Sequence, residues 1–225
     1  MTMALQPTHR AKIISVAYVV LLWFVLVLGG SLLGTFAQSP LVFYLAVGGP
    51  IILFVAGYLL SEGFRRFVRS LVGDPWVITA LQTYRVLGVS MAIQALRNAL
   101  PAVFGLPAGF GDFFIGMTAL LAAASWSSGS RLGKAGFVLW NVLGLLDLLI
   151  AVSTGVLAGL TSSGAVTMAP MRLYPLSLVP AFGVPLAFIL HFTGLAQFWY
   201  LSRQQTGYDE ASHLQQHRAT SGGSV

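Results

Sequence analysis

The chain contains no cysteine, and only 8% of its residues are charged. The absence of cysteine excludes disulfide bonds, thiol catalysis and thiolate metal sites, and it leaves the redox compartment open. The low charge excludes an ordinary soluble domain, in which charged residues make up about 25%. With 56% hydrophobic residues and a mean hydropathy of +0.83, the chain has the composition of an integral membrane protein.

Acidic residues are scarce as well. The chain has 6 of them against 12 lysines and arginines, which gives a net charge of +6. A basic excess can indicate nucleic-acid binding, but here the basic residues lie in short segments between apolar runs, as membrane topology requires. We therefore expect the lipid bilayer as a partner and no nucleic acid.

Six apolar runs have about the 20 residues that a helix needs to cross a hydrocarbon core of ~30 Å. They cover residues 13–33, 41–60, 76–100, 112–126, 137–157 and 173–199. The sequence thus predicts an all-α membrane protein, a bundle of six transmembrane helices within residues 1–201. Residues 202–225 are polar and are predicted to form a flexible cytoplasmic tail.

The distribution of lysine and arginine predicts the orientation of the bundle. If the N-terminus is cytoplasmic, nine basic residues lie on the inner side and two, Arg97 and Arg172, on the outer side. This is a positive-inside bias. The inner set is Arg10, Lys12, Arg65, Arg66, Arg69, Arg131, Lys134, Arg203 and Arg218. Both termini are therefore expected to be cytoplasmic.

The first span has a second interpretation, as a cleaved signal peptide. His9, Arg10 and Lys12 precede the apolar run, and small residues follow it. The run is longer than a typical signal-peptide core of about 7 to 15 residues, which favours a retained span.

Three ionisable residues lie inside the spans at nearly one depth. Arg85 lies about 14 Å from the predicted cytoplasmic interface, Asp147 about 15 Å and His191 about 12 Å, at the standard helical rise. A charge at the bilayer centre costs about 2.5 to 3.5 kcal/mol on insertion scales. Arg85 and Asp147 are therefore expected to pair.

The pair has two interpretations. It is either a buried clamp that fixes the packing of a structural subunit, or part of a polar cavity that binds a small solute or relays protons. Gly88 lies one turn from Arg85 and Gly144 one turn from Asp147. Because small residues let membrane helices approach closely, we expect spans three and five to touch through these faces.

His191 and Asn141 complete the predicted internal site. His191 is interpreted as a hydrogen-bonded packing residue, as a proton relay beside Asp147, or as a ligand of haem in a redox protein that binds haem or quinone. Haem is the cofactor that this last alternative implies, and a metal site is expected only in that case. Pro175, Pro180 and Pro185 precede His191, so the sixth span is predicted to be bent or locally broken.

The segment LPAVFGLPAGFGD, residues 100–112, contains two prolines and three glycines. It is predicted to form a tight hairpin or a shallow re-entrant loop at the outer face. Asp112 is then interpreted as the N-cap of the fourth helix. Alternatively, Asp112, Arg97 and Arg172 form a charged outer vestibule that attracts anions.

The remaining patterns concern partners and activity. Gly30 with Gly34, and Gly155 with Gly159, have the spacing of close helix contacts, within the chain or in a homo-oligomer. No phosphate loop, nucleotide fingerprint, Ser/His/Asp set or zinc pattern is present, which favours a role other than an enzyme.

The segments LPAVFGLPAGFGD and WNVLGLLDL, within residues 85–191, resemble small multi-pass inner-membrane proteins of bacteria that carry no established function. The resemblance covers about the last four spans. It implies a bacterial plasma (inner) membrane and no activity. The residues themselves favour a carrier or binding protein for a small solute, with a proton as coupling ion, Asp147 as titrating group, Arg85 as counter-ion and His191 as relay.

Overall fold

A computed structural model describes the backbone of residues 7–71, 75–162 and 164–221, and the side chains of residues 11–71, 75–162 and 164–203. Within these ranges the chain forms helices and turns and no strand. Six of the described helical stretches are long and apolar enough to cross a membrane. They are Ala11–Leu32, Pro40–Leu60, Pro75–Leu96, Ala102–Ser127, Arg131–Thr161 and Val179–Arg203. The prediction of an all-α chain with six helices of membrane-spanning length is confirmed.

The helices are labelled in chain order. They are α1 Pro7–Leu32, α2 Thr35–Gln38, α3 Pro40–Leu60, α4 Glu62–Ser70, α5 Pro75–Leu81, α6 Val89–Leu96, α7 Ala102–Ser127, α8 Arg131–Thr161 and α9 Val184–Ser221. A 3₁₀ segment, Gln82–Gly88, joins α5 to α6, and a π turn, Val179–Gly183, leads into α9. The third and sixth spans are thus each interrupted.

Helix α7 lies between the third span and α8, and glycines on one of its faces set its distance from the third span. A Cβ added at Gly105 would lie 2.7 Å from the Cβ of Ala95, and one at Gly109 would lie 2.7 Å from the Cβ of Ala92. At Gly116 it would meet the backbone around Val86. Since lipid supplies no hydrophobic drive between helices, this close packing holds them together.

The first span and α3 lie at the periphery and expose most of their apolar side chains. Helix α1 packs on the π turn, where Phe182 lies 4.7 Å from Trp23 and 5.1 Å from Phe24 between ring centroids. The hydroxyls of Ser31 and Ser177 share a buried hydrogen bond of 2.5 Å. In a bilayer, the exposed apolar faces of these helices contact lipid.

The fourth span begins ten residues earlier than the sequence predicted, at Ala102 instead of residue 112. The predicted hairpin or re-entrant loop over residues 100–112 is therefore wrong, because that segment is almost wholly helix. The chain turns before it, where Asn98 adopts a φ of 56°, a left-handed conformation that asparagine tolerates. Glycine and proline mark breaks in soluble helices, whereas here Gly105 and Gly109 provide close packing within a helix.

The sixth span is interrupted, as the prolines predicted. Pro175 precedes the span, Pro180 lies in the π turn and Pro185 is the second residue of α9. Side chains of the third span donate hydrogen bonds to carbonyls of this stretch: the Tyr84 hydroxyl to Gly183 at 2.6 Å and Gln82 Nε2 to Ala187 at 3.2 Å. Protein groups thus satisfy backbone groups at membrane depth, as the absence of water there requires.

Two glycine pairs and the C-terminal segment differ from the sequence interpretation. Gly34 follows the end of α1 with a φ of 70°, so Gly30 and Gly34 do not share a helix face. Gly155 packs against Phe104 of the same chain, whereas Gly159 faces open space. Helix α9 continues to Ser221, into the segment for which the sequence predicts a flexible tail.

The glycine face of α7 gives the first testable prediction. Gly109→Ala would force a Cβ into the backbone of Ala92, and we expect a loss of about 1 to 3 kcal/mol in the free energy of unfolding. Gly159→Ala is the matched control, because it adds the same methyl group to a helix where nothing lies within 4 Å. We expect no loss there and a gain of up to about 1 kcal/mol. Thermal unfolding in detergent measures both, and equal effects would contradict this packing.

Candidate functional site

Arg85 lies in the 3₁₀ segment in the middle of the third span. A 3₁₀ helix has about 3.0 residues per turn, so residues three apart are eclipsed. The three buried residues of the segment have that spacing: Gln82, Arg85 and Gly88. The 3₁₀ geometry therefore aligns them on one face, which packs on α7 and the sixth span. Stretches of 3₁₀ helix this long are uncommon and often mark functional or strained positions.

All three nitrogens of the Arg85 guanidinium bind side chains of other helices. Nε donates to Asp112 Oδ1 of α7 at 2.7 Å, and Nη1 donates to His191 Nε2 of α9 at 2.9 Å. Nη2 donates to Asp147 Oδ2 of α8 and lies 2.7 Å from Asp112 Oδ1. One guanidinium thus links three helices to the third span. We call Arg85, Asp112, Asp147, His191 and Asn141 the arginine cluster.

The hydrogen bonds determine the tautomer of His191. Arginine carries donors only, so Nε2 of His191 must accept from Arg85 and cannot itself carry a proton. Nδ1 then carries the proton and donates to Asn141 Oδ1 at 3.0 Å. Asn141 Nδ2 donates to the Phe137 carbonyl at 2.9 Å, which turns the amide oxygen of Asn141 towards the histidine. His191 is therefore neutral in this arrangement.

Trp140 covers the histidine and connects it to α7. Its ring lies 5.1 Å from the His191 ring between centroids. Its indole Nε1 donates to Thr118 Oγ1 at 2.9 Å. His191 is fully buried, so its ring is fixed both by hydrogen bonds and by packing.

A glycine on a neighbouring helix faces each of the three titratable partners of Arg85. A Cβ at Gly88 would overlap Asp112, one at Gly111 would overlap Asp147, and one at Gly144 would overlap His191. The expected contact of spans three and five through Gly88 and Gly144 is therefore wrong. These glycines accommodate side chains of spans four and six, and Arg85 reaches Asp147 by its side chain.

Asp112 is the largest correction to the sequence analysis of the site. It lies in the interior of α7, whose N-cap residue is Pro101, so Asp112 is not an N-cap. It does not belong to an outer vestibule either, because its carboxylate binds the buried Arg85. Arg97 is exposed near the end of α6, and Arg172 is partly buried in the 3₁₀ segment Ala169–Arg172. Neither of them contributes to the arginine cluster.

The sequence did contain a signal for Asp112. Gly105, Gly109, Asp112 and Gly116 follow one another at spacings of four, three and four residues, which places them on one helix face. Glycines on one helix face let a neighbouring helix approach closely, so a carboxylate on the same face lies against that helix. The prolines and glycines of the segment favour a loop by their preferences in soluble proteins, and this preference is opposite to the helical spacing of the face.

The formal charges of the cluster do not balance. One guanidinium faces two carboxylates beside a neutral histidine, which leaves a charge of −1 if both carboxylates are ionised. The Arg85 side chain is 1% exposed, whereas those of Asp112 and Asp147 are 11% and 12% exposed. An unbalanced buried charge costs several kcal/mol (about 3 to 5 when a partner is missing). The cluster is therefore suited to bind one additional positive charge.

Two further polar side chains, Gln82 and Gln197, are buried on the third and sixth spans, and the sequence analysis does not predict them. Gln82 Oε1 and Gln197 Oε1 have no hydrogen-bond partner among the described residues. Gln197 Nε2 donates to the Val68 carbonyl of α4 at 3.1 Å. Among the described residues, no group of three His, Asp or Glu side chains is arranged to hold a metal ion.

Residues 40–199 match the family described as a domain of unknown function, DUF8737. The chain belongs to this family. The matched region of the DUF8737 domain includes spans two to five, the sixth span up to residue 199 and every residue of the arginine cluster, and it leaves out α1. No curated protein and no solved structure matches the chain.

The shared guanidinium predicts an unusual pattern of stability. Asp112→Asn or Asp147→Asn alone leaves Arg85 with one carboxylate and a balanced charge, so we expect each to cost less than about 2 kcal/mol. The double variant leaves Arg85 buried without a counter-ion and should cost about 3 to 5 kcal/mol. Arg85→Met leaves two unpaired carboxylates and should cost about as much.

Unfolding in detergent for the four proteins of this double-mutant cycle measures the pattern. Arg97→Met is the control for replacing an arginine directly after the same span, and it should have little effect because Arg97 is exposed. Additive effects of the two aspartate substitutions would contradict a shared counter-ion.

Proposed function

We propose that this protein is a proton-coupled carrier or binding protein for a small solute, with the arginine cluster as its internal polar site. The observation that carries the proposal is the sharing of one guanidinium by two carboxylates. A buried site with a formal charge of −1 gains stability when it takes up a proton or another cation. Intramembrane ionisable residues most often mark such ion and substrate paths.

The competing interpretation, a structural subunit with a buried clamp, requires only one carboxylate for Arg85. The second carboxylate adds an unbalanced charge and would weaken a purely structural clamp. Both carboxylates also keep more exposed surface than the guanidinium that they bind. This supports a role in which the carboxylates exchange a ligand or a proton.

The redox alternative has less support. Axial ligation of haem needs a free lone pair on a ring nitrogen of His191. In the cluster, Nε2 accepts from Arg85 and Nδ1 donates to Asn141. Ligation of haem iron by Nε2 would have to break its hydrogen bond from Arg85.

We assign the roles as follows. Asp147 exchanges the proton, and Asp112, held by Arg85 Nε, remains its counter-ion. His191 positions the guanidinium through Nε2, and Asn141 fixes the tautomer that allows this. A relay through His191, as the sequence suggested, would require Arg85 to move away first. Protonation of Asp147 removes the charge that holds Nη2 and so weakens the link between α8 and the third span.

We further propose that the protein lies in a bacterial plasma membrane with both termini cytoplasmic. Six crossings return the chain to the side on which it began. The bias of nine basic residues against two supports the inner placement of that side. In this orientation the segment before α7 and the segment before the sixth span face outwards.

Infrared difference spectroscopy against pH tests the titrating role of Asp147. We expect the lipid-reconstituted protein to give the band of a protonated carboxylic acid that disappears as the pH rises, and Asp147→Asn should abolish that band. Glu62→Gln is the matched control, since Glu62 is an exposed carboxylate of α4. Solute uptake that acidifies the lumen of vesicles loaded with a pH dye should be lost in Asp147→Asn while the protein stays folded.

The clamp interpretation makes the opposite prediction. If both carboxylates stay ionised throughout, and a variant with Arg85→Met, Asp112→Leu and Asp147→Leu folds and functions like the wild type, the proposed carrier role is wrong. Apolar replacement of a buried ion network is often neutral or stabilising, which makes this variant informative.

The natural absence of cysteine makes the orientation easy to test. Leu132→Cys, at the start of α8, should react with a membrane-impermeant maleimide only after cells are broken open. Ala165→Cys, in the segment before the sixth span, should react in intact cells. Both positions are exposed, so differences in labelling report the side of the membrane. The reverse pattern would invert the proposed topology.

A further inference from the structure

A second polar region, which shares no residue with the arginine cluster, lies where α3, α4 and α9 meet. It is a groove of about 470 Å³. Its walls combine two arginines with three aromatic side chains and one small residue. They are Tyr58, Arg69, Ala196, Trp199, Tyr200 and Arg203. We call it the Arg69 groove.

The Arg69 groove lies at the end of the membrane-spanning helices. Tyr58 is two residues from Leu60, where α3 ends, and Arg203 is the last residue of the sixth span. Helix α4 begins directly after α3 and carries Arg69 in its last turn. Aromatic residues and arginines at the ends of spans lie at the level of lipid headgroups. The groove therefore opens at the boundary between acyl chains and headgroups.

The two arginines form no salt bridge with a carboxylate among the described side chains. The three carboxylates described there are Glu62, Asp112 and Asp147, and all of them pair with other arginines. The hydrogen bond from Arg65 to Glu62 lowers the pKa of that carboxyl, so Glu62 remains engaged as an anion.

Contacts with Tyr58 fix the position of the Arg69 side chain. Its Nε donates to the Tyr58 hydroxyl at 3.4 Å, and its guanidinium lies 5.8 Å from the centroid of the Tyr58 ring. Among the described residues, its two terminal nitrogens have no hydrogen-bond partner. Arginine forks bind phosphate oxygens in pairs, which makes phosphate the best match for such a group.

We propose that the Arg69 groove binds an anionic phospholipid. Arg69 and Arg203 bind the phosphate, and the hydroxyl of Tyr200 is placed to bind its polar headgroup. Trp199 is 59% exposed and offers its ring to the glycerol and upper acyl region. Charge complementarity and the position at the headgroup level both favour a membrane lipid over a dissolved anion.

The bound lipid would connect α4 to α9. These helices already touch through the hydrogen bond from Gln197 to the Val68 carbonyl. Gln197 lies six residues after His191 on α9. A lipid phosphate between Arg69 and Arg203 would therefore stabilise the helix that carries the histidine of the arginine cluster. This site does not depend on the proposed carrier function.

The test compares two double variants that remove the same charge. In Arg69→Gln with Arg203→Gln the groove loses both guanidiniums. In the control, Arg66→Gln with Arg97→Gln, two arginines outside the groove are lost, and the Arg66 side chain is 75% exposed. Each delipidated protein is titrated with phosphatidylglycerol or phosphatidylcholine of equal chain length, and bound lipid is counted by native mass spectrometry.

We expect the wild type and the control to bind phosphatidylglycerol in preference to phosphatidylcholine. The groove variant should bind phosphatidylglycerol about 30-fold more weakly, since each basic residue near the surface contributes about one kcal/mol to such binding. Should this variant fail to fold, Arg203→Gln alone, at an exposed position, is expected to weaken binding about 5-fold.

Three outcomes would overturn the proposal. Equal loss in the control would mean that only the total surface charge matters. Displacement of bound phosphatidylglycerol by millimolar inorganic phosphate would assign the groove to a dissolved anion. Equal binding of phosphatidylcholine would mean that the groove does not recognise the headgroup charge.

Discussion

The packing of the four central spans depends on one guanidinium. Arg85 donates to Asp112, His191 and Asp147, which belong to three other helices, so none of these helices can move without breaking one of its hydrogen bonds. In a medium without water, each broken bond would leave a charged or polar group without a partner. The glycines opposite Asp112, Asp147 and His191 follow from this constraint, because any larger residue would separate the helices.

The same constraint explains what the sequence could and could not predict. The number of spans follows from the length of the apolar runs, and the depth of a residue in the membrane follows from the helical rise. Both could therefore be predicted from the sequence alone. The depth estimate placed Arg85, Asp147 and His191 at one level, and the Arg85 side chain contacts both of the others in the structure. Asp112 was missed because glycine and proline have opposite meanings in a loop and in a packed membrane helix. That ambiguity is resolved only by the neighbouring helix, since Gly105 and Gly109 are necessary only where Ala95 and Ala92 lie against them.

Backbone irregularity was predictable for the sixth span and not for the third. The three prolines predict that the sixth span is bent or broken, because each of them lacks a backbone N–H donor. The 3₁₀ segment has no proline, and its residues have no strong preference against an α-helix except Gly88. The 3₁₀ segment forms where Gln82, Arg85 and Gly88 face the same neighbouring helices. Tertiary contacts therefore favour the 3₁₀ conformation there. These contacts come from other spans, so the sequence of the third span alone does not predict the 3₁₀ segment.

The 3₁₀ segment also couples the length of the third span to the rotation of its two ends. A 3₁₀ helix rises about 2.0 Å and turns about 120° per residue, against about 1.5 Å and 100° for an α-helix. If its seven residues became α-helical, the span would shorten by about 3.5 Å and its two ends would rotate relative to each other by about 140°. Helix α6 packs closely against Gly105 and Gly109 of α7, so this change would move α5 relative to α6 and α7. Conversion of the 3₁₀ segment to α-helix would thus link the loss of hydrogen bonds at Arg85 to a movement of α5 at the end of the span.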